Sequence, residues 1–169
     1  FACAGFSFLN GGGLVQIISV FIAALLGQAL RRWLLRRGYN HFGVWMVSSA
    51  FAGMVFIGCV VLIEAFTHTE YPHHGGIVAA TLFLVPGFPL VTSIIEMVRQ
   101  DFSASIPRMV YSIGLVIAAA SALWVVTHVF NWPIANSAPP ALPPFTQIPL
   151  QLVASFAASF GFAMLFVAQ

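Results

Sequence analysis

The sequence predicts an all-α polytopic membrane protein with five spans, one of them broken at a Pro-Gly pair, and the beginning of a sixth. Three observations carry that prediction. Of the 169 residues, 60% are hydrophobic and only 6% charged, against about 25% charged in a soluble globular chain. The apolar residues gather into runs that reach bilayer length. One of those runs, 76–98, carries Pro86-Gly87 and Pro89 in its middle. There is no Lys, and a net charge of +2 is too small and too scattered for a nucleic-acid partner. Phe1 lies inside an apolar run with no basic flank and no cleavage pattern. No signal peptide is therefore read, and the chain is expected to be a piece of a longer one. Cys3 and Cys59 read as two small thiols in apolar segments rather than as a disulfide.

The elements follow in order. Phe1 to Leu9 is apolar but too short to span, and Asn10 with Gly11-Gly12-Gly13 makes a turn. Leu14 to Leu30 is 17 residues, at the lower limit for a span. Arg31, Arg32, Arg36 and Arg37 then flank Trp33; they read as topology determinants that touch anionic lipid head groups. Phe42 to Phe66 is a second span, followed by a polar loop at 67–75. The broken helix runs from Gly76 to Val98, and Arg99 to Ser105 links it to a span from Ile106 to about Phe130. A Pro-rich loop occupies 131–149, and Leu150 to Ala168 begins a further span.

The broken segment is the most informative. Its 23 residues would cover about 34 Å as one helix, and Pro86 is the eleventh of them, which places the break near mid-depth. Proline removes a backbone donor and clashes with the preceding turn. Broken backbone at membrane depth persists only where protein or a water-filled cavity satisfies it. A kink used only for packing is the plainer alternative. Two prolines and a glycine within four residues, followed by charges, favour a cavity.

All six Arg fall at 31–37 and 99–108, and two spans separate those regions. Both are therefore expected on the cytoplasmic side, with 67–75 and 131–149 on the other. Trp33, Trp45, Trp124 and Trp132 fall near predicted span ends, as an aromatic belt requires. A faint internal repeat sets ACAGFSFL (2–9) against ASFGFAML (158–165), aligning Gly5 with Gly161. Five spans precede the second copy, so it is inverted. That is the arrangement of many secondary transporters. The reading is then a first repeat over 1–149 and the start of a second at 150–169.

The string LVPGFPLVTSIIEMVRQDFSASIPR resembles the signature of the threonine/serine exporter family. Pro86, Gly87, Pro89, Thr92, Glu96, Asp101 and Arg108 fill its places in order and spacing. Thr92, Gln100 and Ser105 depart from it, standing where Asn, Gly and Gly are usual. GFSFLNGGG at 5–13 and GFAMLF at 161–166 are also similar to the family. The resemblance implies a five-span half of an inverted-repeat transporter, preceded by a cytoplasmic region and completed by a second half. It also implies export of small amino acids or dicarboxylates driven by an ion gradient.

Each candidate residue has two readings. Glu96 and Arg99 are three apart on one helix, either an interfacial snorkelling pair or a cavity-facing carboxylate that exchanges a proton. Thr92 lies four residues before Glu96 and Ser93 three before; with Pro89 they outline a candidate substrate path. Asp101 and Arg108 are either solvated, with Ser103 or Ser105 capping the next helix and Pro107 in its first turn, or a salt bridge gating the inner mouth. Glu64 and His68 read as a surface pair, and His128 as part of the aromatic belt. His68, Glu70, His73 and His74 lack a second ligand cluster, so no metal is expected.

No nucleophile triad or phosphate loop is present, so neither an enzyme nor a cofactor is expected. The reading is a secondary exporter of a small polar metabolite in the inner membrane. Its expected partners are the substrate, lipid and a second transmembrane half; homo-oligomerisation is left open. A non-transporting scaffold or regulatory subunit is the alternative, and a channel a third.

Overall fold

The computed structural model describes residues 2–10, 12–67, 76–132 and 144–167. Everything regular in it is helical: α1 (Ala2–Leu9), α2 (Leu14–Arg36), α3 (His41–Thr67), α4 (Gly76–Thr81), a 3-10 turn (Leu82–Leu84), α5 (Gly87–Val98), α6 (Phe102–Val129) and α7 (Pro144–Val167). Among the described residues, Leu14–Arg36, His41–Phe66 and Phe102–Val129 are long and apolar enough to cross a membrane. The bent pair Gly76–Leu84 and Gly87–Val98 makes four if it counts as one span. The loop residues 68–75 lie outside the description, and with them the candidate pair of Glu64 with His68 and the His-rich loop. Cys3 and Cys59 are free thiols.

Helix α2 outruns its apolar stretch, continuing through the arginines to Arg36. Arg and Leu are good helix formers, so nothing stops the ladder at Leu30. It stops at Gly38, whose φ of 77° is the left-handed conformation that glycine takes without cost. Asn40 then starts α3 by accepting the Phe42 N–H at 3.0 Å.

Helices α2 and α3 are antiparallel. Gly27 packs beside Ala52, and the Arg31 guanidinium lies over the Trp45 ring. Helices α3 and α6 run parallel: His41 meets Tyr111, Ser49 Oγ donates to the Ala119 carbonyl at 2.7 Å, Gly53 faces Leu123, and Phe56 meets Trp132. The starts of α3 and α6 therefore share one end of the bundle. That end carries both arginine regions, as the charge distribution requires.

Helix α4 fills the space enclosed by α1, α2 and α3. Ile77, Ala79, Ala80, Phe83 and Leu84 are all buried there with Val20, Ala23, Ala52 and Val60. Small residues let the backbones approach closely, which is how helices associate in lipid. A β-carbon on Gly27 would lie 2.7 Å from the Phe83 ring.

The ladder breaks where the prolines predict, and earlier than they require. It tightens to a 3-10 turn at Leu82, passes through Val85 and Pro86, and resumes with the Leu90 N–H on the Pro86 carbonyl at 3.1 Å. Pro89 sits in the first turn of α5, where no N–H is needed. The two halves differ in direction by 65°.

Measured along α3, the break is not at the middle of the helix. Leu84 sits beside Trp45, the fifth of the 27 residues of α3. Counting along the chain assumed entry at the bilayer surface. Gly76 lies instead against the Phe56 ring, eleven residues before α3 ends at Thr67. The segment thus starts about 16 Å inside that end and breaks correspondingly close to the other.

Helices α1 and α7 pack antiparallel through small residues. A β-carbon on Gly5 would come within 3.2 Å of the Ala158 β-carbon, and one on Gly161 within 3.1 Å of the Ala2 β-carbon. Gly5 and Gly161 are aligned positions of the faint repeat, as are Ala2 and Ala158. The contact is therefore reciprocal, as a two-fold axis would make it. Helix α7 starts at Pro144, six residues before the expected span.

Candidate functional site

Helix α5 leaves the bundle and packs chiefly on the start of α6. The link between them is shorter than expected. Arg99, Gln100 and Asp101 suffice, because Asp101 rather than Ser103 or Ser105 caps α6. Its side chain accepts from the Ala104 N–H at 3.3 Å and the Ser103 hydroxyl at 2.8 Å. Pro107 consequently falls in the second turn of α6 rather than its first.

The end of α5 is a Schellman turn. The Gln100 N–H reaches the Met97 carbonyl at 3.0 Å and the Asp101 N–H the Glu96 carbonyl at 3.0 Å, with Gln100 at φ 63°. That conformation disfavours a side chain and explains why a glycine suits the position. Ser105 departs from glycine for a different reason. It is fully buried in the α5–α6 contact, where its hydroxyl donates to the Ser93 carbonyl at 2.8 Å.

This short turn decides which charges meet. Glu96 pairs with Arg108 across the hairpin, not with Arg99 three residues away. Arg99 is exposed, and its N–H closes α5 on the Ile95 carbonyl. Glu96 Oε1 takes the Arg108 bond, whereas Glu96 Oε2 is buried without a hydrogen-bond partner among the described residues. The pair is partly exposed, so it contributes about 0–1 kcal/mol. Ser93 rather than Thr92 is the buried hydroxyl of α5, donating to the Leu90 carbonyl at 2.7 Å. The half-buried Thr92 hydroxyl donates to the Phe88 and Pro89 carbonyls at 3.0 and 3.1 Å, a back-bond within α5. Pro86 is buried; Gly87 and Pro89 are half-buried.

A second group was missed by sequence reading. Trp45 is 5% exposed and does not belong to a belt. Its indole N–H donates to the Leu84 carbonyl at 2.7 Å, at the break itself. His41 stacks on the same ring with centroids 5.9 Å apart and shares a 2.8 Å hydrogen bond with the Tyr111 hydroxyl. Arg31 is also different from its neighbours. It is 8% exposed, with its guanidinium 4.2 Å from the Trp45 ring centre and one bond of 3.3 Å to Gln28 Oε1. Its Nε and the Gln28 Nε2 are buried without partners among the described residues. A buried charge lacking a counter-charge costs several kcal/mol, only partly offset by a cation–π contact of about 2 kcal/mol. Nothing in the local sequence separates Arg31 from Arg32; only the helix phase turns one inward. Trp124 and His128 stack on each other and are exposed near the far end of α6.

No group of three or more metal-ligating side chains occurs among the described residues.

The family model described as "Putative threonine/serine exporter" matches residues 1–130. The chain belongs to the threonine/serine exporter family. It is similar to the "Probable succinate transporter subunit YjjP" of Klebsiella aerogenes, 27% identical over 131 residues, which cover 78% of this chain and 48% of that one. The same-named protein of Escherichia coli K12 is also 27% identical, with 49% of its length covered. The chain thus spans about half the length of the curated relatives it matches. No solved structure matches it. Membership of this exporter family, together with the apolar helices, makes it a multi-pass inner-membrane protein of a transporter family. The motif that carried the resemblance is the α5–α6 hairpin.

Proposed function

We propose that this chain is the first half of a proton-coupled secondary transporter that exports a small polar metabolite, a threonine- or serine-like amino acid or a dicarboxylate. The carrying observation is Glu96. One carboxylate oxygen is tied to Arg108, and the other is buried and unbonded twelve residues after a helix break. Such a group has a place for a proton. Thr92 and Ser93 lie on the same helix, while Arg99 and Asp101 close the turn that holds Arg108 in reach.

In this reading residues 1–149 are the first repeat and 150–169 begin the second. The reciprocal packing of Gly5 on Ala158 and Gly161 on Ala2 supports an inverted relation. The regions 31–37 and 99–108 face the cytoplasm. The relatives' description as subunits supports a second transmembrane half, in the same chain or a separate one.

Counterflow tests the reading. Proteoliposomes holding the complete protein and its second half, loaded with unlabelled succinate or L-threonine, should accumulate the matching labelled compound. Absence of exchange with both compounds would leave a scaffold or regulatory subunit as the better account.

A further inference from the structure

We propose that Arg31 and Gln28 form a receptor for a carboxylate group of the transported molecule, beside the helix break. The inference rests on the transporter reading and adds a subsite distinct from Glu96.

The chemistry of the pair is one-sided. A guanidinium has only donors, so the Gln28 amide must turn its oxygen towards Arg31, as it does at 3.3 Å. That leaves Gln28 Nε2 as a donor that Arg31 does not engage. Arg31 Nε is a second donor, and both atoms are buried with no acceptor among the described residues. Two donors and a full positive charge, with no carboxylate paired to them among the described residues, are the complement of a carboxylate. The guanidinium carbon lies over the Trp45 ring, 4.2 Å from its centre, a cation–π contact that helps hold the side chain in place. Trp45 also holds the Leu84 carbonyl at the break, so an anion that draws on Arg31 acts on the residue that latches the broken helix. Residue 31 is nine-tenths buried, unlike its exposed neighbour Arg32, which separates it from a lipid-facing arginine.

Both amino acids and dicarboxylates carry this group, and the test separates them. The complete purified protein is titrated with succinate, L-threonine, succinamide and inorganic phosphate while its thermal unfolding is followed. The wild type should be stabilised by succinate, L-threonine or both, and by neither succinamide nor phosphate. Arg31→Gln should weaken the apparent Kd at least tenfold, and Arg32→Gln should leave it unchanged. Gln28→Glu is the second variant, because it places a carboxylate from the chain itself against the fork. It should fold with its buried charge paired, and it should lose carboxylate binding. The proposal is overturned if the wild type responds to neither carboxylate, if phosphate matches them, or if Gln28→Glu binds like wild type. Counterflow on the same preparations separates the two readings. Exchange that survives Arg31→Gln removes the receptor and keeps the transporter. Arg31-dependent binding without any exchange does the reverse.

Discussion

The indole of Trp45 and the carbonyl of Leu84 are joined by a 2.7 Å hydrogen bond across 39 residues of chain. Leu84 closes the 3-10 turn that precedes Pro86, and the proline ring cannot continue the ladder. A buried carbonyl at a break needs a donor from elsewhere. Trp45 supplies it from α3, so the bend is held by a side chain as well as caused by the prolines.

Trp45→Phe keeps most of the ring and removes the donor. The Leu84 carbonyl is then buried without a partner, and the variant should lose about 1–3 kcal/mol. Trp124→Phe, at a ring that is 63% exposed, should change stability by less than about 0.5 kcal/mol. Denaturation midpoints of the two variants in the same detergent make the comparison; equal losses would show that the bond contributes nothing specific.

Gly27 tests the packing behind the same turn. A β-carbon there would meet the Phe83 ring at 2.7 Å and Ala52 at 3.1 Å. Gly27→Ala should cost about 1–3 kcal/mol through overpacking. Gly58→Ala places its methyl where nothing lies within 4 Å, so it should be neutral or stabilise by about 0.5–1 kcal/mol through helix propensity. The opposite signs are the test, read from thermal unfolding.

Gln100 sits at φ 63° in the Schellman turn. Gln100→Gly should stabilise by about 1 kcal/mol, because a side chain in that conformation is disfavoured by roughly 1–2 kcal/mol. Gln100→Val should destabilise. If both variants melt with the wild type, the turn does not hold this conformation in the membrane.

Parallel α3 and α6 fix a further outcome. Cysteines at Gly38 and Gln100, introduced into a Cys3→Ala, Cys59→Ala background, should label from the cytoplasmic side. Cysteines at Thr69 and Ser137, which lie outside the described residues, should label from the other. Opposite labelling of Thr69 and Ser137 would mean that the number of crossings between them is odd.

How much of this was legible in the sequence varies by residue. Composition and run length foretold the helices, and Pro86-Gly87 with Pro89 foretold the break. The depth of the break was not legible, since it depends on where Gly76 meets Phe56, a contact between distant segments. The partner of Glu96 was missed for a local reason. With Asp101 as its cap, α6 begins at Phe102, four residues before the expected start, and the tight turn brings Arg108 into reach ahead of Arg99. Trp45 and Arg31 look like belt and topology residues in any linear reading. Their burial follows from helix phase and from the neighbours that α3 and α4 provide, which no window of sequence contains.

Glu96 carries the last prediction. Its two oxygens are in different situations, one bonded to Arg108 and one buried without a partner. Glu96→Gln keeps the shape and still accepts a bond from Arg108 through the amide oxygen, but it cannot take up or release a proton. Substrate exchange needs only binding and reorientation, whereas net export against a gradient also needs the coupling ion. The Gln variant should therefore retain much of its counterflow and lose gradient-driven export at least tenfold. Arg108→Gln removes the partner and leaves the carboxylate, so it should retain export. Parallel measurements of exchange and export in proteoliposomes from pH 6 to 8 decide between the roles. Export by Glu96→Gln at the wild-type level throughout would reduce Glu96 to a structural partner of Arg108, and the coupling carboxylate would then be sought at Asp101 or in the second half.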